Sequence, residues 1–75
     1  MIKDDLHIIT QIEIFLQKND YEFQSIGNEF KIYLDESEIY IVVDKCISIY
    51  DYESDKPYLF YNVDEAIIKL KSIIS

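Results

Sequence analysis

The sequence has no arginine and no tryptophan, and its 75 residues include one cysteine, one glycine, one proline and one histidine. Because Cys46 has no second cysteine to pair with, no internal disulfide can form, which favours a reducing compartment. No apolar run approaches the roughly 20 residues that span a membrane, and the N-terminus lacks a signal-peptide pattern. We therefore expect a cytoplasmic protein with no membrane partner.

Positive charge is also scarce. Seven lysines stand against 15 Asp and Glu residues, which gives a net charge of −8 at neutral pH. A field of this sign repels polyanions, so direct binding of nucleic acid by a basic surface is excluded. Base stacking on exposed tyrosines is disfavoured too, because stacking platforms hold the nucleic-acid backbone with lysine or arginine.

Residues suited to catalysis are few. His7 is the one imidazole and falls in the first turn of a predicted helix, and nothing in the spacing places Cys46 beside it as a nucleophile. The sequence contains neither a glycine-rich phosphate loop nor a His/Cys metal spacing. We expect no enzymatic activity and no cofactor.

One acidic run shares the alternating carboxylates of a calcium-binding loop. Asp51, Glu53 and Asp55 supply them, but Lys56 stands where the sharp turn needs glycine, and Asn62 stands where a bidentate glutamate is needed. The run is therefore interpreted as a solvated loop, and we expect no metal site.

Core residues, in contrast, are abundant. The chain contains 15 isoleucines, five leucines, three valines and four phenylalanines. This content is far above that of disordered chains, and the length allows one domain. We expect a single α+β domain over residues 1–75.

Two segments have helical periodicity. From about Asp5 to Asn19, the apolar residues recur on one helical face, and an aspartate at the start can cap the first turn. A second segment runs from Val63 to about Ile74, and Asn62 precedes it as the predicted cap. Each helix carries one apolar stripe, as expected of a helix that packs on one side.

Between the helices the apolar period changes to two, and Ile, Val, Tyr and Phe are abundant, as they are in strands. The five predicted strands are Tyr21–Ser25, Phe30–Leu34, Ile39–Val43, Ile47–Tyr52 and Tyr58–Tyr61. Pro57 suits the start of the last strand, where its missing N–H is tolerated.

The turns predict how the strands pair. A two-residue turn at Gly27–Asn28 pairs Phe23 with Ile32, because glycine supplies the positive φ of a hairpin turn. A loop of two or four residues around Glu36–Ser37 then pairs Ile32 with Ile41. Both pairings place the apolar sets of the three strands on one face.

The turn after the third strand has two alternatives. A tight turn at Asp44–Lys45 would direct Ile47 and Ile49 outward. A three-residue loop from Asp44 to Cys46 would direct them inward, and burial favours this form.

The elements follow the order α-β-β-β-β-β-α, which predicts a two-layer α+β fold. In it, an antiparallel meander of four to five strands carries the N-terminal and C-terminal helices on one face. The alternative is that one helix covers the opposite face and the sheet becomes a buried middle layer.

The opposite, outward face is predicted to be rich in tyrosine. Its predicted central row is Glu22, Tyr33, Tyr40, Tyr50 and Leu59. Cross-strand tyrosine pairs can serve stability alone, and surface acids can serve solubility alone. However, interface cores are enriched in tyrosine, and contiguous exposed apolar surface usually marks a contact site.

We therefore predict a partner-binding site on this face, made of four tyrosines and a rim of six acids. Its members are Tyr33, Tyr40, Tyr50, Tyr52, Asp35, Glu36, Glu38, Asp51, Glu53 and Asp55. Tyrosines would form the desolvated centre, and acids around them would attract a basic surface on another protein.

In size, acidity and Lys-, Ile- and Tyr-rich composition, the whole chain resembles small phage-encoded inhibitors of bacterial defence systems, among them anti-CRISPR proteins and DNA mimics. The resemblance is carried by composition. It implies an inhibitor that works in the cytoplasm of a bacterial host and occupies the basic surface of a nucleic-acid-handling protein.

Two alternatives predict a similar surface. An immunity or antitoxin-like protein would present the same acids to a toxin. A self-associating structural module would use the tyrosine face or the two edge strands as a homodimer interface. Measurement of the oligomeric state separates the last alternative from the other two.

Overall fold

The structure, a computed structural model, describes residues 2–52 and 55–74, with side chains from Asp5 onward. Its elements have the predicted α-β-β-β-β-β-α order. They are α1 (Ile2–Lys18), β1 (Glu22–Ile26), β2 (Glu29–Tyr33), β3 (Glu38–Val43), β4 (Ile47–Tyr50), β5 (Tyr58–Phe60) and α2 (Val63–Ile74). α1 begins at Ile2 rather than near Asp5, and β4 ends at Tyr50 rather than at Tyr52. Glu53 of the predicted site lies outside the described residues.

The sheet is an antiparallel meander in which each strand pairs with its neighbours in the chain, in the order β1-β2-β3-β4-β5. Side chains from both helices join one core with the inward residues of the strands, so both helices lie on the same face. Tyr40, Tyr50 and Leu59 on the other face remain exposed. The predicted two-layer α+β fold is therefore confirmed, and the alternative with a helix on each face is wrong.

The core lies between the helices and the sheet. Ile12 and Leu16 of α1, Ile41 of β3, Ile49 of β4 and Leu70 of α2 are each fully buried. Along β3 the burial alternates residue by residue, as expected for a strand with one face in the core. The apolar stripes of both helices thus pack against the inner face of the sheet.

The start of α2 is fixed by its predicted cap. The side-chain oxygen of Asn62 accepts hydrogen bonds from the backbone N–H groups of Asp64, at 2.8 Å, and Glu65, at 3.3 Å. These bonds satisfy two N–H groups that have no partner within the helix. The cap fixes where the chain leaves β5 and turns back over the sheet.

Two of the predicted turns are confirmed. Phe23 pairs with Ile32 across a turn in which Gly27 has a φ of 59°, as in a type II′ hairpin. Val43 pairs with Ile47 across the three-residue loop, which is closed by a bond from the Asp44 N–H to the Cys46 carbonyl at 3.0 Å. The loop that burial favoured is the one that forms.

The predicted register of β2 against β3 is wrong by two residues. Ile32 pairs with Ile39 rather than with Ile41, and the connecting loop runs from Leu34 to Ser37, which is the longer of the two predicted loop lengths. The Leu34 N–H donates to the Ser37 carbonyl at 2.9 Å, which closes this loop. Because the shift is even, the same side chains still face the core.

Candidate functional site

The candidate site lies on the sheet face turned away from the helices, termed the open face below. Tyr40 and Tyr50 are directly paired at its centre and are 43% and 44% exposed. Leu59 on β5 is also exposed, at 53%. Neither helix covers these large side chains, whereas the adjacent residues in each strand point toward the core.

The two-residue shift rearranges the open face. The predicted central row set Tyr33 opposite Tyr40, but Lys31 occupies that position, and Tyr33 lies opposite Glu38. The predicted register of β4 against β5 is also wrong by two residues, since Leu59 pairs with Ser48 rather than with Tyr50. Lys31 therefore lies within the row of tyrosines, directly opposite Tyr40.

Lys31 contacts both tyrosines beside it. Its ammonium nitrogen lies 5.5 Å from the Tyr33 ring centroid, 5.4 Å from the Tyr40 ring centroid and 3.4 Å from a carboxylate oxygen of Glu38. These distances are those of cation–π contacts and an ion pair. The hydrogen bond with Tyr40, followed by the nearby Glu38 carboxylate, raises the pKa of Lys31 above its ordinary value of 10.5. The lysine is therefore charged at any physiological pH.

At the end of the open face nearest the Leu34–Ser37 loop, the surface forms a shallow concavity of about 580 Å³, termed the tyrosine–acid concavity below. Its lining includes eight of the ten residues predicted for the site: Tyr33, Tyr40, Tyr50, Tyr52, Asp35, Glu36, Glu38 and Asp51. Leu34 and Ser37 complete the lining. The fold thus brings together residues from the β2–β3 loop and from the end of β4.

The remaining two predicted residues are not part of this group. Asp55 is exposed in the segment before β5 and does not line the concavity. Glu53 lies outside the described residues. The predicted rim is therefore placed at the β2–β3 loop and at Asp51 rather than along the whole acidic run.

Three residues at this end of the sheet were not included in the predicted site. Asp20 and Glu22 line a second concavity, also of about 580 Å³, on the other side of the Leu34–Ser37 loop. Gln24 accepts a hydrogen bond from the Tyr33 hydroxyl at 3.0 Å, which holds that ring in place. The predicted row already placed Glu22 beside Tyr33, and this part of the register is confirmed.

The carboxylates collect at one end of the open face. Asp35, Glu36, Glu38 and Asp51 line the tyrosine–acid concavity, and within the described chain no lysine lines it. Asp20 and Glu22 extend the negative charge around the loop. In a sheet of this size such a group produces a local negative potential that attracts cations.

The candidate groups for catalysis are set apart from this site. His7 is exposed on α1, and Cys46 lies in the β3–β4 loop with its sulfur 3.9 Å from the Ser48 hydroxyl. Over residues 2–52 and 55–74, no group of three or more His, Cys, Asp and Glu residues could hold a metal ion. In the same residues, neither helix is both long enough and apolar enough to cross a membrane.

The fold and the site together define a small two-layer α+β domain with one uncovered, tyrosine-bearing and acid-rimmed sheet face. No protein-family model, no curated protein and no solved structure matches the chain.

Proposed function

We propose that this protein is a non-enzymatic inhibitor that binds a basic surface of another protein, and that the partner uses this surface to handle nucleic acid. The observation that carries the proposal is the tyrosine–acid concavity, which joins exposed aromatic rings to four carboxylates at the uncovered end of the sheet. The fold of the protein suits this role, because the core occupies only the inner face of the sheet.

Charge supports a basic partner. The whole chain carries a net charge of −8, and the concavity concentrates carboxylates on the same face as the tyrosines. Complementary charge speeds the diffusional encounter of two proteins and selects against acidic partners. A surface that normally binds nucleic-acid phosphates is rich in lysine and arginine, so it meets this requirement.

The tyrosines support binding by contact rather than by charge alone. Tyr40 and Tyr50 are more than two-fifths exposed, although each belongs to a strand whose inward neighbours are fully buried. Burying such rings against a partner yields the binding energy that is typical of hot spots, and exposed acids around them act as a polar rim.

A capture experiment with matched variants tests the proposal. The tagged protein is incubated with nuclease-treated bacterial lysate, and the retained proteins are identified by mass spectrometry at increasing salt. The test variant combines Tyr40→Ala with Glu36→Lys. The control variant combines Tyr61→Ala with Asp44→Lys, which also removes one tyrosine ring and makes the same change in net charge, at residues near the β3–β4 loop, away from the concavity.

We expect one nucleic-acid-handling protein to be retained by the wild type and by the control, and to be lost from the test variant and at high salt. The purified partner should then bind nucleic acid less well when this protein is added. Equal retention by both variants would contradict the proposal. So would a stable homodimer, measured by light scattering, that protects the tyrosines of the open face.

A further inference from the structure

The tyrosine–acid concavity has two parts with different surroundings. On one side, the Tyr33 and Tyr40 rings contact the chain's own cation, Lys31, which lies next to the concavity and does not itself line it. On the other side, Tyr50 is 44% exposed, and the carboxylates of Asp35 and Glu36 are exposed on the β2–β3 loop. The second part has the same chemical groups as the first, an aromatic ring with carboxylates nearby.

Lys31 shows which chemistry this surface accepts. The ammonium lies over two rings at 5.4 and 5.5 Å while Glu38 neutralises it at 3.4 Å. A cation held by ring faces and a carboxylate at once is favoured by cation–π attraction and by Coulomb attraction together. A second cation near Lys31 would likewise be attracted by aromatic rings and by carboxylates.

We propose that an arginine side chain of the partner inserts into the tyrosine–acid concavity, with its guanidinium on the Tyr50 ring and its N–H groups toward Asp35 and Glu36. This inference rests on the proposed function and names the group that the site recognises. Arginine suits the site better than lysine because its planar fork stacks on aromatic rings and donates two parallel bonds to a carboxylate.

The size and openness of the concavity fit this occupant. A volume of about 580 Å³ lies within the range of pockets that hold small ligands, so the concavity has room for a long side chain. The site is open on one side, which allows a side chain to enter from a folded partner without movement of the sheet.

Two peptides of equal charge test the inference on the intact chain. One consists of eight arginines and the other of eight lysines, and each carries a fluorescent label whose anisotropy reports binding. We expect the arginine peptide to bind about fivefold more tightly, because stacking and bidentate bonds add to the shared charge attraction.

Variants locate the preference in the concavity. Tyr50→Leu should reduce the ratio of the two affinities to near one, whereas Tyr50→Phe should keep it, because the ring remains. Tyr61→Leu, which removes a ring that is 80% exposed elsewhere on the protein, should change neither affinity. Retention of the ratio in Tyr50→Leu would overturn the inference.

The lysine inside the face gives an independent test. Lys31→Met removes a positive charge that repels the incoming guanidinium, so we expect the arginine peptide to bind about fivefold more tightly than to the wild type. Lys45→Met makes the same change in net charge in the β3–β4 loop and should have a much smaller effect. Equal effects of the two variants would mean that only net charge matters and would overturn the inference.

The two proposals can fail separately. If both peptides bind equally and salt weakens both, the arginine site is wrong while a general basic partner remains supported. If neither peptide binds, the arginine site is wrong and the capture experiment alone decides the proposed function.

Discussion

At the scale of single residues, neighbours on β3 have opposite roles. Tyr40 projects onto the open face, whereas Ile41 is fully buried in the core. We expect Tyr40→Ala to leave the protein folded and to weaken partner binding by about 1–2 kcal/mol, because the exposed ring contributes to the interface with the partner and not to the core. Binding by calorimetry and stability by thermal unfolding measure the two effects.

Ile41→Ala should do the reverse. Truncation of a fully buried isoleucine removes apolar contacts and leaves a cavity, which costs about 2–5 kcal/mol. In a domain this small, such a loss approaches the whole free energy of unfolding. If Tyr40→Ala unfolded the protein and Ile41→Ala did not, the assignment of the two faces would be reversed.

A second residue-scale prediction concerns the end of α1. Asp20 has a φ of 60°, and the Tyr21 N–H donates to the Leu16 carbonyl at 3.1 Å while the Asp20 N–H donates to Gln17 at 3.1 Å. This is the Schellman arrangement, in which glycine is the preferred residue at the position of Asp20. The negative charge of Asp20 also lies at the negative end of the helix dipole.

We therefore expect Asp20→Gly to stabilise the fold by about 0.5–1 kcal/mol, measured by urea unfolding. Asp20→Asn should give a smaller gain, because it removes the charge and keeps a side chain in the left-handed conformation. Destabilisation by both substitutions would show that the carboxylate has a structural role. Because Asp20 also lies at the acidic end of the sheet, the stabilised variant should bind a basic partner less well.

At the scale of elements, the sequence determines which side chains face the core, but it does not determine the register of every strand pair. The two alternatives for the β3–β4 loop differ by one residue, and a one-residue slip would expose Ile47 and Ile49, so the apolar pattern decides between them. The alternatives for β2 against β3 differ by two residues and bury the same side chains. Their difference depends on the closure of the Leu34–Ser37 loop, which contains neither glycine nor proline to signal its form.

The eight site residues that do meet could be predicted for the same reason. Tyr40 and Tyr50 follow from the alternation of their strands, and the acids follow from their position in the adjoining loop. The position of Lys31 could not be predicted, because it depends on the undetermined register.

Engineered disulfides can test that register in a Cys46→Ser background. Lys31→Cys with Tyr40→Cys places two cysteines directly opposite each other in the structure, within reach of a disulfide. Tyr33→Cys with Tyr40→Cys would be opposite only in the register predicted from sequence. We expect oxidation to cross-link the first pair and not the second, as counted by free thiols. The opposite result would restore the register predicted from sequence.

At the scale of the whole molecule, the position of a charge should affect association with the partner more than the net charge of the protein does. Glu36→Lys reverses a carboxylate that lines the concavity, whereas Asp44→Lys makes the same change in net charge at the β3–β4 loop. We expect Glu36→Lys to slow association with the partner about tenfold at low salt and to flatten the salt dependence of the association rate. Asp44→Lys should have a far smaller effect on both. Stopped-flow association at two salt concentrations measures both, and equal rates would argue against local steering.

The meander also governs how the chain reaches this fold. Every strand pairs only with strands adjacent in sequence, so each hairpin can close a short loop without waiting for a distant segment. Topologies dominated by such local closures have low contact order and fold quickly for their size. Refolding should therefore take on the order of milliseconds, and the open face should be ready to bind a partner once the hairpins have closed and both helices have docked on the sheet.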